Sequence, residues 1–202
     1  MNHFTEEELA LGRQVIGTCR ELERRGLNQG TSGNVSVRLS QEEDAFLLTP
    51  SATPYDVMQP EDMCRMALDG SRSGRRAPST EWRIHLDVMR RRPEVGAVIH
   101  THSGHATALA CLRRPIPAFH YMVALFGGED IRCSDYATFG TQELSDKVLE
   151  ALEGRVAAVK PQVADSVVGD YRRFVDKAPV FLSVIRSEEH TSELQSRETI
   201  SY

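Results

Sequence analysis

Two histidines spaced two apart, His100 and His102, close an apolar run in GAVIHTHSGH. Side chains at i and i+2 of a strand leave by the same face. Two imidazoles so placed can chelate one metal ion. A pair of hydrogen-bonded histidines at a strand end leaves the same trace. His105, one helical turn on, reads as structural or as support for the pair. Glu81 follows Ser79 and Thr80 in APSTEW, at the start of a predicted helix. A carboxylate there suits general acid/base work. Ser and Thr at a helix N-terminus, among free N–H groups, suit a phosphate. Ordinary helix capping uses the same residue types.

The loop QGTSGN at 29–34 is built of small residues. Gly30 and Gly33 let backbone amides approach a ligand, and Thr31 and Asn34 add side-chain donors. That suits a phosphate, and it suits an ordinary helix-to-strand turn equally. The GK[ST] ending of a P-loop is missing. TPSATP at 49–54 is a rigid turn that presents hydroxyls, Ser51 among them. Tyr121 follows His120; its phenol could deliver a proton, or it could pack with a wet tip. The arginines at 90–92 and 113–114 read as solvated surface, and Cys19 and Cys111 as core. No GxSxG or Cys–His signature marks a nucleophile.

The elements that position these residues alternate between helix and strand patterns, as in an α/β domain. Thr5 and Glu8 form a capping box ahead of an apolar stripe that Gly26 stops. VSVRL at 35–39 alternates as a strand, and 45–49 reads as a buried strand. Residues 69–78 read as a polar loop. Ser79 or Thr80 is expected to cap a helix through about residue 92, with Pro93 beyond it. Residues 96–102 read as a strand, 103–112 as a helix and 141–152 as a helix begun by Thr141. VAAVK at 156–160 reads as a strand and 163–177 as a helix.

The chain has 202 residues, 40% of them hydrophobic and 26% charged. That is one domain, or a domain with an appendage, large enough for a real core. The net charge of −5 argues against nucleic acid as a partner. No apolar run is long enough for a membrane span, and the acidic start MNHFTEEELAL does not look like a secretory signal. Four scattered cysteines without a CxxC pair fit reduced thiols in the cytoplasm.

Taken together and in order, GLNQGTSGNVSVR, LLTPSATPY, PSTEWRIH, VIHTHSGHATAL, IPAFHYM and YATFGTQELS resemble the class II aldolase/adducin family over about residues 8–155. The likeness is greatest to the branch that cleaves L-fuculose 1-phosphate to dihydroxyacetone phosphate and lactaldehyde. The resemblance implies a three-layer α/β/α fold around a mainly antiparallel sheet, a homotetramer with sites between subunits, and a sugar phosphate substrate. It implies Zn2+ held by His100 and His102. It makes Glu81 the acid/base at C3 and gives Thr31, Asn34, Ser51, Ser79 and Thr80 to the phosphate. Tyr121 matches a tyrosine that protonates the aldehyde oxygen in a neighbouring subunit's site. None of the three lysines falls in a motif, and the chemistry needs no Schiff base. L-ribulose-5-phosphate 4-epimerase, methylthioribulose-phosphate dehydratase and a non-catalytic adducin-like module are the other readings.

The sequence departs from the family in places. Ala52 stands where a Gly is usual, and Thr80 where a Ser is common. The family's third zinc-binding His should fall near Val163, where the chain reads VAAVKPQVADS. The only later histidine is His190, so two imidazoles plus water would form a poor zinc site. The last 17 residues, RSEEHTSELQSRETISY, resemble a translated sequencing adapter. The expected organisation is therefore a family domain over 1–155, a frameshifted or chimeric join over 156–185, and a non-native tail over 186–202.

Overall fold

Thr5 opens the first helix through reciprocal bonds. Its hydroxyl accepts from the Glu8 N–H at 3.1 Å, and the Glu8 carboxylate accepts from the Thr5 N–H at 2.7 Å. This satisfies two N-terminal donors of α1 (Glu6–Arg24). At the other end Gly26 takes a left-handed conformation (φ 68). Gly26 N–H donates to the Glu23 carbonyl and Leu27 N–H to the Leu22 carbonyl, a Schellman termination. The computed structural model describes residues 4–39 and 44–160.

Five strands follow one sheet order, β4-β3-β2-β1-β5, with every neighbouring pair antiparallel. They are β1 (Asn34–Arg38), β2 (Ala45–Leu48), β3 (Cys64–Ala67), β4 (Arg72–Ser73) and β5 (Ala97–His100). β4 lies in the stretch expected as loop. Two polar residues on a sheet edge carry no alternation to detect.

β2 explains the layering. All four of its residues are buried. Ala45 and Leu47 pack with Val15, Ile16 and Cys19 beneath α1. Phe46 and Leu48 face the other way, against Leu86 and Met89 of α2 (Trp82–Arg91). A strand covered on both faces must be apolar throughout, as AFLL is. The helix/sheet/helix layers and mainly antiparallel sheet agree with the expected α/β class. α4 (Gln142–Ala151) rests on α2. Buried Asp87 of α2 accepts from Ser145 Oγ at 2.7 Å and from Gln142 Nε2 at 2.6 Å.

α3 (Gly104–Cys111) and the two-stranded parallel pair β6 (Arg132–Cys133) and β7 (Ala158–Val159) enclose a second core. Ala110, Ile116, Val123, Ile131, Ala157 and Val159 form it. β7 is the strand expected in VAAVK, and it delivers Lys160 to the site. The helix expected at 163–177, the position near 163 and the 186–202 tail lie outside the described residues. All four cysteines are free. Among the described residues no helix is long and apolar enough to cross a membrane.

Candidate metal centre and phosphate cradle

Strand register brings the chain-distant motifs together. β1 pairs with β5 so that Asn34 lies opposite His100. His102 falls two residues past the end of β5 and is held by its backbone. Its N–H donates to the Leu27 carbonyl at 3.1 Å and to Asn28 Oδ1 at 2.9 Å. The imidazole rings of His100 and His102 lie with centroids 4.7 Å apart. Asn28 is buried and drew no attention in the sequence, because a lone Asn in a loop carries no pattern.

Glu81 sits at the N-cap of α2 and makes no capping bond with its side chain. The expected cap at Ser79 or Thr80 is not formed. Ser79 Oγ instead accepts from the Glu81 N–H at 3.3 Å, which closes a turn ahead of the helix. The Glu81 carboxylate is left free to face the histidines. Its Oε2 lies 2.7 Å from His100 Nδ1. Its Oε1 accepts from Lys160 Nζ at 2.6 Å. Lys160 is the main site residue missed in the sequence. It belongs to no motif, and 79 positions separate it from its partner.

One ligand atom each from Glu81, His100 and His102 lie within 4.8 Å of one another. His100 Nδ1 is buried and lacks an aligned hydrogen bond, despite the carboxylate oxygen beside it. Buried polar atoms are rarely left so. With the His102 ring beside them, this nitrogen and the carboxylate oxygen offer converging donor atoms to a cation. A His2Glu set is a donor set of catalytic zinc sites. Glu81 thus adds a third candidate donor to the two imidazoles counted in the sequence.

The electrostatics agree with that use. Burial pushes the His102 ring down to about 4, reinforced by His100 and Lys160. Burial also lowers His100, and Lys160 adds to the effect while Glu81 opposes it. Neutral imidazole is the form that ligates metal. Burial alone would raise the Glu81 carboxyl. His100 and the Lys160 ammonium outweigh it and hold the group well below the usual carboxylate range.

A cavity of about 440 Å³ adjoins the cluster. Thr31, Asn34, Ser51, Ser79 and Thr80 all line it, together with Glu81, His102 and Lys160. Its walls are tied to each other. Ser51 N–H donates to the Ala77 carbonyl and Ser79 N–H to the Thr49 carbonyl, joining the two hydroxyl-bearing turns. Tyr55 Oη donates to the Ser32 and Gly33 carbonyls and anchors the 29–34 loop. Gly33 is required there: it has φ 78, and a Cβ would lie 2.4 Å from Asn28 Nδ2. Ala52 also takes a left-handed conformation, at φ 50. Tyr121 is 76% exposed and does not line this cavity, and His105 is exposed on α3 outside the cluster.

A carboxylate and two imidazoles thus meet at the end of an antiparallel sheet, beside a hydroxyl-lined cavity, in an arrangement able to hold a metal ion. The profile of the class II aldolase and adducin N-terminal domain matches residues 13–162, and the chain belongs to that family. A 5-methylthioribulose-1-phosphate/5-deoxyribulose-1-phosphate aldolase of Rhodospirillum rubrum is 50% identical over 151 residues, 75% of this chain and 67% of the relative. The L-fuculose phosphate aldolase of Escherichia coli K12 is 46% identical over 153 residues, 76% of this chain and 70% of the relative. A solved L-fuculose 1-phosphate aldolase superposes with a TM-score of 0.73 at 30% identity, covering 98% of this chain and 99% of that one.

Proposed function

We propose that the chain is a metal-dependent aldehyde-lyase that cleaves a ketose 1-phosphate by a retro-aldol reaction. The observation that carries this reading is the meeting of Glu81, His100 and His102 beside the cavity lined by Thr31, Asn34, Ser51, Ser79 and Thr80. The phosphate sits among those hydroxyls and the Asn34 amide. His100 and His102, with Glu81 beside them, would hold a divalent metal, Zn2+ in this proposal, which would supply Lewis-acid stabilisation of charge developing on the sugar oxygens.

With the carbonyl at C2, breaking C3–C4 leaves dihydroxyacetone phosphate and an aldehyde. In the condensation direction Glu81 takes the C3 proton and C3 bonds to the aldehyde carbon. Tyr121 of the partner subunit gives a proton to the aldehyde oxygen. Cleavage runs the same steps backwards. The exposure of Tyr121 supports a homotetramer whose sites draw on a neighbouring copy. Free thiols support a cytoplasmic location.

L-fuculose 1-phosphate is the proposed substrate, on the strength of IPAFHYM and YATFGT. The 50% identical relative favours 5-methylthioribulose 1-phosphate or 5-deoxyribulose 1-phosphate as a second reading. Each is offered to the Zn2+-loaded protein, and dihydroxyacetone phosphate is followed by coupled reduction with NADH. One should turn over, and Glu81→Gln should reduce the rate by about 10²–10⁴. Failure of the loaded protein to release the triose phosphate from any of them refutes the reading.

A further inference from the structure

We infer that His85 is a positioning residue: it fixes the Asn34 amide so that the NH2 group, not the carbonyl oxygen, faces the phosphate end of the cavity. The inference rests on the phosphate reading of that cavity. His85 lies in the first turn of α2, within PSTEWRIH, and is 1% exposed. Its Nε2 is 2.5 Å from Asn34 Oδ1, and its Nδ1 is 2.7 Å from Ser36 Oγ.

The proton positions follow from what each atom can do. An amide oxygen only accepts, so Nε2 carries the ring proton. Nδ1 then bears a lone pair and accepts from the Ser36 hydroxyl. The chain of donation runs from Ser36 to His85 to Asn34. Turning the amide over would set its N–H groups against Nε2–H. Relief would require the ring proton to change nitrogen and the Ser36 hydroxyl to rotate as well. All three side chains are buried, so the mismatched donors of the flipped state would face each other in a poorly solvated setting. Oδ1 is thereby used internally, and the amide N–H groups serve the cavity that Asn34 lines. Donors suit a phosphate, whereas a carbonyl oxygen in the same place would repel it. Burial pushes the ring down to about 3, so it stays neutral across the ordinary pH range.

The test is titration of the intact protein with inorganic phosphate by calorimetry, with the ring nitrogens read by ¹⁵N NMR. A neutral His85 with its proton on Nε2 is expected; a proton on Nδ1, or a charged ring, overturns the inference. His85→Phe keeps the ring's bulk and should weaken phosphate binding roughly tenfold. His85→Gln keeps a donor toward Asn34 and should stay within about threefold of the parent. A His85→Phe protein that melts earlier yet binds phosphate as before gives His85 a purely structural role and sinks the inference. Where His85→Phe does not fold, Ser36→Ala decides: unchanged affinity and an unchanged tautomer overturn it. Asn34→Ala separates the two levels. Unchanged phosphate affinity there removes the phosphate reading itself. A weakened Asn34→Ala beside an unaffected His85→Phe removes only the role of His85.

Discussion

Both oxygens of Glu81 are committed, Oε1 to the Lys160 ammonium and Oε2 beside His100. A divalent ion at the cluster and the ammonium compete for the same carboxylate. Lys160→Met should therefore raise metal affinity at least about tenfold, since neighbouring cations repel strongly away from bulk water. Titration with Co2+, followed by its visible absorption, measures this; equal affinity in parent and variant would show that Lys160 offers no competition. His85 sets a pH dependence of a different kind. Its folded pKa of about 3 lies below the ordinary value of 6.5. Between those values the unfolded chain binds the extra proton, so stability falls as pH drops from 6.5 toward 3 and is full above 6.5. One such proton contributes a slope of up to about 1.4 kcal/mol per pH unit. Urea unfolding at several pH values should show a shallower acid slope in His85→Gln than in the parent. At this scale the spacing of His100 and His102 marks them as a pair, and Glu81 is marked by its place after Ser79 and Thr80 together with the family resemblance. Lys160, Asn28 and His85 were not singled out, because their roles exist only through partners far away in the chain.

The turns around the cavity carry the next level of control. Gly33 and Ala52 both adopt left-handed backbone, one with the residue that conformation favours and one without it. Gly33→Ala should destabilise by at least about 1–2 kcal/mol. It should also weaken metal binding, because the new Cβ strikes Asn28, which holds the His102 backbone. Ala52→Gly should stabilise by about 0.5–1 kcal/mol, the relief of left-handed strain less the added freedom of the unfolded chain. That corresponds to a rise in Tm of roughly 1–4 °C. Melting curves that rank the two substitutions the other way would refute this account of the turns. Helices α1 and α4 and strand β2 were readable because capping, periodicity and an unbroken apolar run are local. β4 was not, since its pairing with β3 comes from a hairpin rather than from its own two residues. The start of α2 was misplaced because Ser-Thr-Glu suits several turn geometries, and the site selected the one that frees Glu81.

Across the whole molecule, the surface of 119–126 stands out. Phe119, Tyr121 and Leu125 are 43%, 76% and 55% exposed, three large apolar or aromatic side chains near one another in the chain. If, as proposed, a second copy supplies the proton donor, activity per milligram should fall on dilution below the dissociation constant of the assembly. Light scattering run beside the assay checks this; constant specific activity in a sample shown to be monomeric would contradict it. The sequence carries this level only through resemblance, since nothing local records which surface meets which. The Lys160–Glu81 pair has one more consequence. The protein brings its own counter-ion to a buried carboxylate, so an emptied metal centre is not left with an uncompensated charge. A chelator should silence the chemistry and leave cooperative unfolding intact, and activity lost during purification is then recoverable by adding metal back, without refolding.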